Sequence, residues 1–106
     1  MVTIEDTLVK KIVRRIVQSI KPERIILFGS RADGTGGEES DVDLVVIYQG
    51  PLSKRQVLLQ IRELFTHPDF SLDVVVLTPD EFESQKGIAN TLAREASDKG
   101  IVCYGI

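Results

Sequence analysis

The chain has 106 residues, 42% of them apolar and 27% charged, with a formal net charge of −3. That length fits one domain rather than two, the composition is that of a globular chain, and the negative balance argues against a surface built to coat nucleic acid. The single cysteine, Cys103, excludes an internal disulfide and a cysteine-cluster metal site, which fits a reducing compartment.

The first stretch, MVTIEDTLVKK, carries early acids and no apolar run, so it does not read as a secretory signal. No segment approaches the roughly 18 to 20 apolar residues of a membrane helix. A cytoplasmic location without membrane contact is expected. Residues 4 to about 20 are predicted as a helix. Ile4, Leu8, Ile12, Ile16 and Ile20 recur every four positions, with Val9, Val13 and Val17 beside them, and Thr3 stands where an N-cap would. Lys10, Lys11, Arg14 and Arg15 fall off that stripe. They read as a solvated face, or as a basic surface toward an acidic partner or a polyphosphate. Pro22 ends the helix.

Residues 24–28, Arg-Ile-Ile-Leu-Phe, predict a buried strand that stops at Gly29. Asp33-Gly34 and Gly36-Gly37 are turn signals, and a short helical turn from Ser30 fits the segment as well as a plain loop does. Residues 42–48 predict a second buried strand, closed by Gly50-Pro51. Ser53 can cap a third helical segment whose apolar positions Val57, Leu58, Ile61, Leu64 and Phe65 share one face, with Pro68 at its end. Residues 70–77 predict a third apolar strand. Thr78-Pro79-Asp80-Glu81 combines a cap, a proline at the first helical position and a capping-box acid. Ile88, Leu92, Ala93 and Ala96 suggest a last helix with Gly100 as its stop signal, and residues 101–104 a short edge strand. Strands alternating with amphipathic helices imply an α/β or α+β fold, one mixed sheet covered by helices.

Three acids break this pattern. Asp41 and Asp43 are two apart at the start of an otherwise apolar strand, so they project from one face. Asp73 stands inside the third apolar strand, where propensity and burial both disfavour aspartate. Converging carboxylates raise one another's pKa, and a divalent cation reverses that penalty. Mg²⁺ prefers oxygen ligands and is commonly held by one or two carboxylates plus substrate phosphates. Two such ions roughly 4 Å apart can hold the attacking and leaving oxygens of a phosphoryl displacement. On this reading Asp41 and Asp43 hold both ions, and Asp73 completes the one that binds the nucleophile and helps draw off its proton. Gly29 lets backbone approach a phosphate, Ser30 adds a donor, and Arg31 offers a guanidinium to the tail phosphates.

Each piece alone has a plainer reading. Gly-Ser after a strand is often only a turn, Asp-x-Asp may cap a turn, and Asp73 could be a salt-bridged core acid. The combination is harder to explain that way. His67, the only histidine, reads as a helix C-terminal residue before Pro68, and Cys103 as a small core or edge residue. One histidine and one cysteine leave no room for zinc sites or catalytic triads built on those residues. The glycine-rich loop lacks the Gly-Lys-Ser/Thr of a P-loop and the Gly-x-Gly-x-x-Gly of a dinucleotide turn.

Gly29-Ser30, ten residues, Asp41-x-Asp43 and a later strand with Asp73 resemble the polymerase-β-type nucleotidyltransferase superfamily, and more closely its minimal nucleotidyltransferase (MNT) branch. The resemblance extends through Ile-Ile-Leu-Phe-Gly-Ser-Arg-Ala, Ser-Asp-Val-Asp-Leu-Val-Val, Leu-Asp-Val-Val and the closing Gly-Ile-Val-Cys-Tyr, so residues 1–106 would form one minimal domain. It implies a polymerase-β-like fold, ATP as substrate with Mg²⁺, and similarity to antitoxins of the HEPN/MNT toxin–antitoxin pairs of bacteria and archaea. Such proteins transfer AMP from ATP to a tyrosine of a helical HEPN toxin, a ribonuclease, and silence it. They lack the extra domain with which larger relatives clasp base and acceptor, so a partner protein, as in a hetero-oligomer, would complete the site. Many relatives carry a second basic residue two positions after Arg31, where this chain has Asp33. Two other functions remain open at this point: a non-catalytic antitoxin that neutralises by binding, and a subunit modifying an antibiotic or other small molecule.

Overall fold

The structure, a computed structural model, describes residues 6–34, 40–66 and 68–105. Its elements run α1 (Thr7–Ile20), β1 (Arg24–Phe28), α2 (Ser30–Asp33), β2 (Val42–Ile47), α3 (Lys54–Leu64), β3 (Leu72–Leu77), α4 (Pro79–Gln85), α5 (Leu92–Lys99) and β4 (Ile101–Tyr104). The four strands form one mixed sheet in the order β3-β2-β1-β4. β1 pairs antiparallel with both β2 and β4, and β2 pairs parallel with β3. The parallel pair requires a crossover, which α3 supplies.

The sheet separates two cores. On one face α1 and α3 lie over Ile25, Leu27, Val42, Leu44, Val46, Val76 and Cys103. On the other, α4 and α5 bring Phe82, Ala93 and Ala96 onto Ile26, Val45, Ile47 and Leu77. The central strands are buried on both faces, which is why β1 and β2 read as continuous apolar runs. The second core is the smaller, and its helices are only 7 and 8 residues long. Asp43, half-buried, and Asp73, exposed, lie on the same face of the sheet as this core.

Local signals set most helix ends. Ser53 caps α3 in a full capping box with Gln56, and Thr78 caps α4 in another with Glu81, with proline leading the helix. α1 differs from expectation. Asp6 caps it, its carboxylate accepting from the Leu8 and Val9 amides, whereas Thr3 and Ile4 lie outside the described residues, as does His67. At the other end Lys21 takes a left-handed conformation before Pro22. The last helix also starts later than expected. Thr91 caps α5, and Ile88 lies outside it with 55% of its surface exposed.

The basic positions of α1 divide. Lys11, Arg14 and Arg15 are exposed and Lys10 is half-buried, but the Arg15 guanidinium also stacks 5.0 Å from the Phe65 ring centroid. Cys103 is fully buried, and burial pushes its thiol pKa up to about 11, as befits an inert core residue. No helix among the described residues is long and apolar enough to cross a membrane.

Candidate active site

Asp43 and Asp73 are direct partners in the parallel β2–β3 ladder, and Phe28 is the antiparallel partner of Asp43 on its other side. Along β2, positions 43, 45 and 47 share one face, as do 73, 75 and 77 on β3. Val45, Ile47 and Leu77 of these rows belong to the second core, with Val75 packed against it. The two aspartates therefore continue the floor of that core past its last apolar residues, Phe28 and Leu92. Asp41 precedes β2 on the same face two positions back.

One of the acids departs from the sequence expectation. Asp73 is exposed, not sunk in a buried strand, because β3 is the edge of the sheet and Asp73 is only its second residue. Asp41 is exposed too, and only Asp43 is half-buried. Among the described residues no acid is buried. Asp41 and Asp73 are open to solvent, so any desolvation penalty falls on the half-buried Asp43.

Asp43 is nevertheless electrostatically crowded. Its carboxyl pKa is raised, first by burial, then by the charges of Asp73 and Asp41, by a hydrogen-bonding approach to Asp73, and by Glu95 of α5. Asp43 and Asp73 form the ladder pair, and Asp41 adds its charge from two positions back on the same strand face. Among the described residues no three carboxylate, thiol or imidazole side chains converge as a finished ligand cage. The donor set is all oxygen, and its negative charges press on one another. That chemistry fits a hard divalent cation such as Mg²⁺ and suits thiolate- or imidazole-preferring metals poorly.

Gly29 closes the site from β1. Its backbone sits at φ 76° and ψ −159°, a region essentially restricted to glycine. A Cβ there would lie 2.5 Å from the Asp43 Oδ2. Conformation and space both exclude a side chain, so backbone presses directly on the central acid. The chain then turns into α2, with the Ala32 and Asp33 amides bonding back to the Gly29 carbonyl at 3.1 and 3.2 Å. Ser30 opens this helix, half-buried, at the same end of the sheet as the acids. Arg31 is placed differently from Gly29 and Ser30. Its Nη1 lies 2.6 Å from Asp6 Oδ2, its Nε donates to the Ser40 carbonyl at 3.0 Å, and its side chain is 7% exposed.

Two residues of this neighbourhood carry no mark in the sequence. Glu95 reads as an ordinary solvent-facing acid of an amphipathic helix, and only the packing of α5 on β1 brings it near Asp43. Asp6 lies 25 positions from Arg31, and nothing local links them. Beside Asp73, a recess of about 450 Å³ opens between α3 and the β3 edge, lined by Leu58, Ile61, Phe65, Leu72 and Val74 among others.

The nucleotidyltransferase domain is the family whose profile matches, over residues 8–103. No curated protein matches the chain. Among solved structures it is similar to a protein from Sulfolobus solfataricus described as a nucleotidyltransferase, with 22% identity and TM-score 0.58 over 90% of this chain and 75% of that one. It is also similar to a toxin–antitoxin structure with AMP-PNP, with 20% identity and TM-score 0.58 over 92% of this chain and 73% of the other. A third is a mutant of the toxin–antitoxin MntA–HpeT, with 18% identity and TM-score 0.56 over 97% and 75%. At these identities the structural likenesses speak to the fold.

Proposed function

Because the chain belongs to the nucleotidyltransferase-domain family, we propose that it moves AMP from ATP onto a hydroxyl, a tyrosine of a partner HEPN toxin, and so acts as an antitoxin. The observation that carries this reading is the Asp43–Asp73 pair across β2 and β3, with Gly29 backbone packed onto Asp43. Carboxylates held together at an open sheet end, beside a turn that admits no side chain, suit a metal-assisted displacement on a phosphate. The match to toxin–antitoxin structures, one with AMP-PNP, supports the choice of nucleotide and of partner. The two Asp-to-Glu changes in the MntA–HpeT mutant are two positions apart, the spacing of Asp41 and Asp43 here.

In the proposed reaction the acceptor oxygen attacks the α-phosphorus of ATP. The bond from that phosphorus to the bridging oxygen breaks, and pyrophosphate leaves. Asp41, Asp43 and Asp73 are the metal ligands, and Asp73, exposed at the sheet edge, takes the proton of the incoming hydroxyl. Mg²⁺ bound there, in two sites, would neutralise the phosphates and hold the attacking and leaving oxygens. Gly29 and Ser30 hold the triphosphate, the glycine by close backbone approach and the serine through its hydroxyl.

Mass spectrometry of a co-expressed HEPN partner tests this. The expected result is a partner heavier by one or more AMP units with the wild type and unmodified with Asp43→Asn. If the partner is unmodified in both cases yet silenced by the Asp41→Ala/Asp43→Ala protein, neutralisation proceeds by binding alone. Modification of a small molecule instead of the partner would contradict the protein acceptor.

A further inference from the structure

We propose that Arg31 is a positioning residue for Asp41, acting through the backbone, and not a phosphate ligand. This rests on the reading of Asp41 as a metal ligand and deepens it.

The guanidinium is already committed. It joins Asp6 at 2.6 Å and the Ser40 carbonyl at 3.0 Å, and only 7% of its side chain is exposed. Asp6 is in turn fixed by its other oxygen, which accepts the Leu8 and Val9 amides at 3.1 and 3.2 Å as the N-cap of α1. Three turns of α1 are held by Val9, Ile12, Val13 and Ile16, each no more than 1% exposed. A continuous polar path therefore runs from a rigid helix through Asp6 and Arg31 to the carbonyl of the residue immediately before Asp41.

Asp41 needs such support. It is exposed, precedes the first residue of β2 and lies outside the strand ladder. The charge-assisted bonds of Arg31 are the strong kind, and the planar guanidinium can serve two acceptors at fixed directions where an ammonium cannot. Losing the Ser40 contact would remove a charge-assisted restraint on the peptide ahead of Asp41, whose other side is anchored by the Val42 amide on the Ser71 carbonyl at 2.9 Å. Misplacing a reacting group by about 1 Å can cost on the order of 100-fold in rate.

The test is Mn²⁺ binding to the whole chain, followed by the electron paramagnetic resonance signal of free Mn²⁺ with AMP-PNP present, alongside AMP-PNP binding in EDTA. Arg31→Ala is expected to weaken Mn²⁺ binding by about 10- to 100-fold, as loss of a residue orienting a metal ligand does. Metal-free AMP-PNP affinity should not move. Asp6→Asn keeps a capping oxygen but removes the charge facing Arg31, so it should reproduce the Mn²⁺ defect in part, and the double variant should be no worse than Arg31→Ala. Thermal melts control for folding. Should Arg31→Ala fail to fold, Arg31→Lys takes its place, with a smaller defect of the same kind. Reduced AMP-PNP affinity in EDTA with Mn²⁺ binding intact would overturn the proposal in favour of a phosphate contact. So would wild-type Mn²⁺ binding by both Asp6→Asn and the Arg31 variant. A wild type that binds Mn²⁺ no better than Asp43→Asn would instead overturn the metal-site reading, and this proposal with it.

Discussion

The Gly29 backbone packs directly against the Asp43 carboxylate. A methyl group on Gly29 would meet the Asp43 carboxylate and would also sit on backbone that side chains rarely adopt. Gly29→Ala should therefore lower stability by about 1–3 kcal/mol from the backbone alone, and should abolish transfer by displacing the acid. Denaturant melts and a transfer assay check both. Asp43 carries a second consequence. Its folded pKa is raised, chiefly by burial and by Asp73, so the folded state holds its proton more tightly than the unfolded chain does. Stability from this group is present below its unfolded pKa and is lost as pH rises through the raised folded pKa. Asp43→Asn should then melt higher than wild type at neutral pH, with the gap closing in acid. Added Mg²⁺ should raise the wild-type melting temperature and leave the variant unchanged. Scanning calorimetry against pH and Mg²⁺ reads all three.

Among the elements, those governed by neighbouring residues behaved as their sequence implies. The caps of α3 and α4 involve residues three apart, and a chain reader can see both. Thr78→Ala should cost about 1 kcal/mol through its lost cap, measured by urea unfolding, and should leave transfer unchanged. Gly100 was readable as a stop but for a different reason than the usual one. Its φ is −79°, so it does not supply a left-handed cap, and it is needed because a Cβ would strike the Ala96 carbonyl and the Ile26 side chain. β3 was harder to read. Its apolar run looks buried, but its place at the sheet edge depends on strand order, which no local pattern encodes. That order is what leaves Asp73 exposed. The pairing of Asp43 with Asp73 likewise follows from parallel register. The acids themselves were visible as interruptions of apolar strands, whereas the supports at Asp6 and Glu95 arise from contacts between distant segments.

For the whole molecule, the acids lie at the starts of the parallel strands β2 and β3, with Asp41 and Asp73 exposed. On the proposed reading, ATP and the acceptor meet over a surface that includes the exposed Asp73 of the edge strand. The proposed acceptor is carried by a partner protein, which would dock at this edge. Partner binding should then shield amides of β3 and the start of β2 in hydrogen exchange, and leave the α1–α3 face as it was. Chemistry can be separated from binding with ATP labelled at one phosphate at a time. In the presence of Mg²⁺ and the proposed HEPN partner, label from the α-phosphate should become covalently attached to that partner, and label from the γ-phosphate should leave in pyrophosphate. Asp73→Asn should attach neither. Transfer of the γ-label to the partner, or α-label transfer undiminished in Asp73→Asn, would contradict the account.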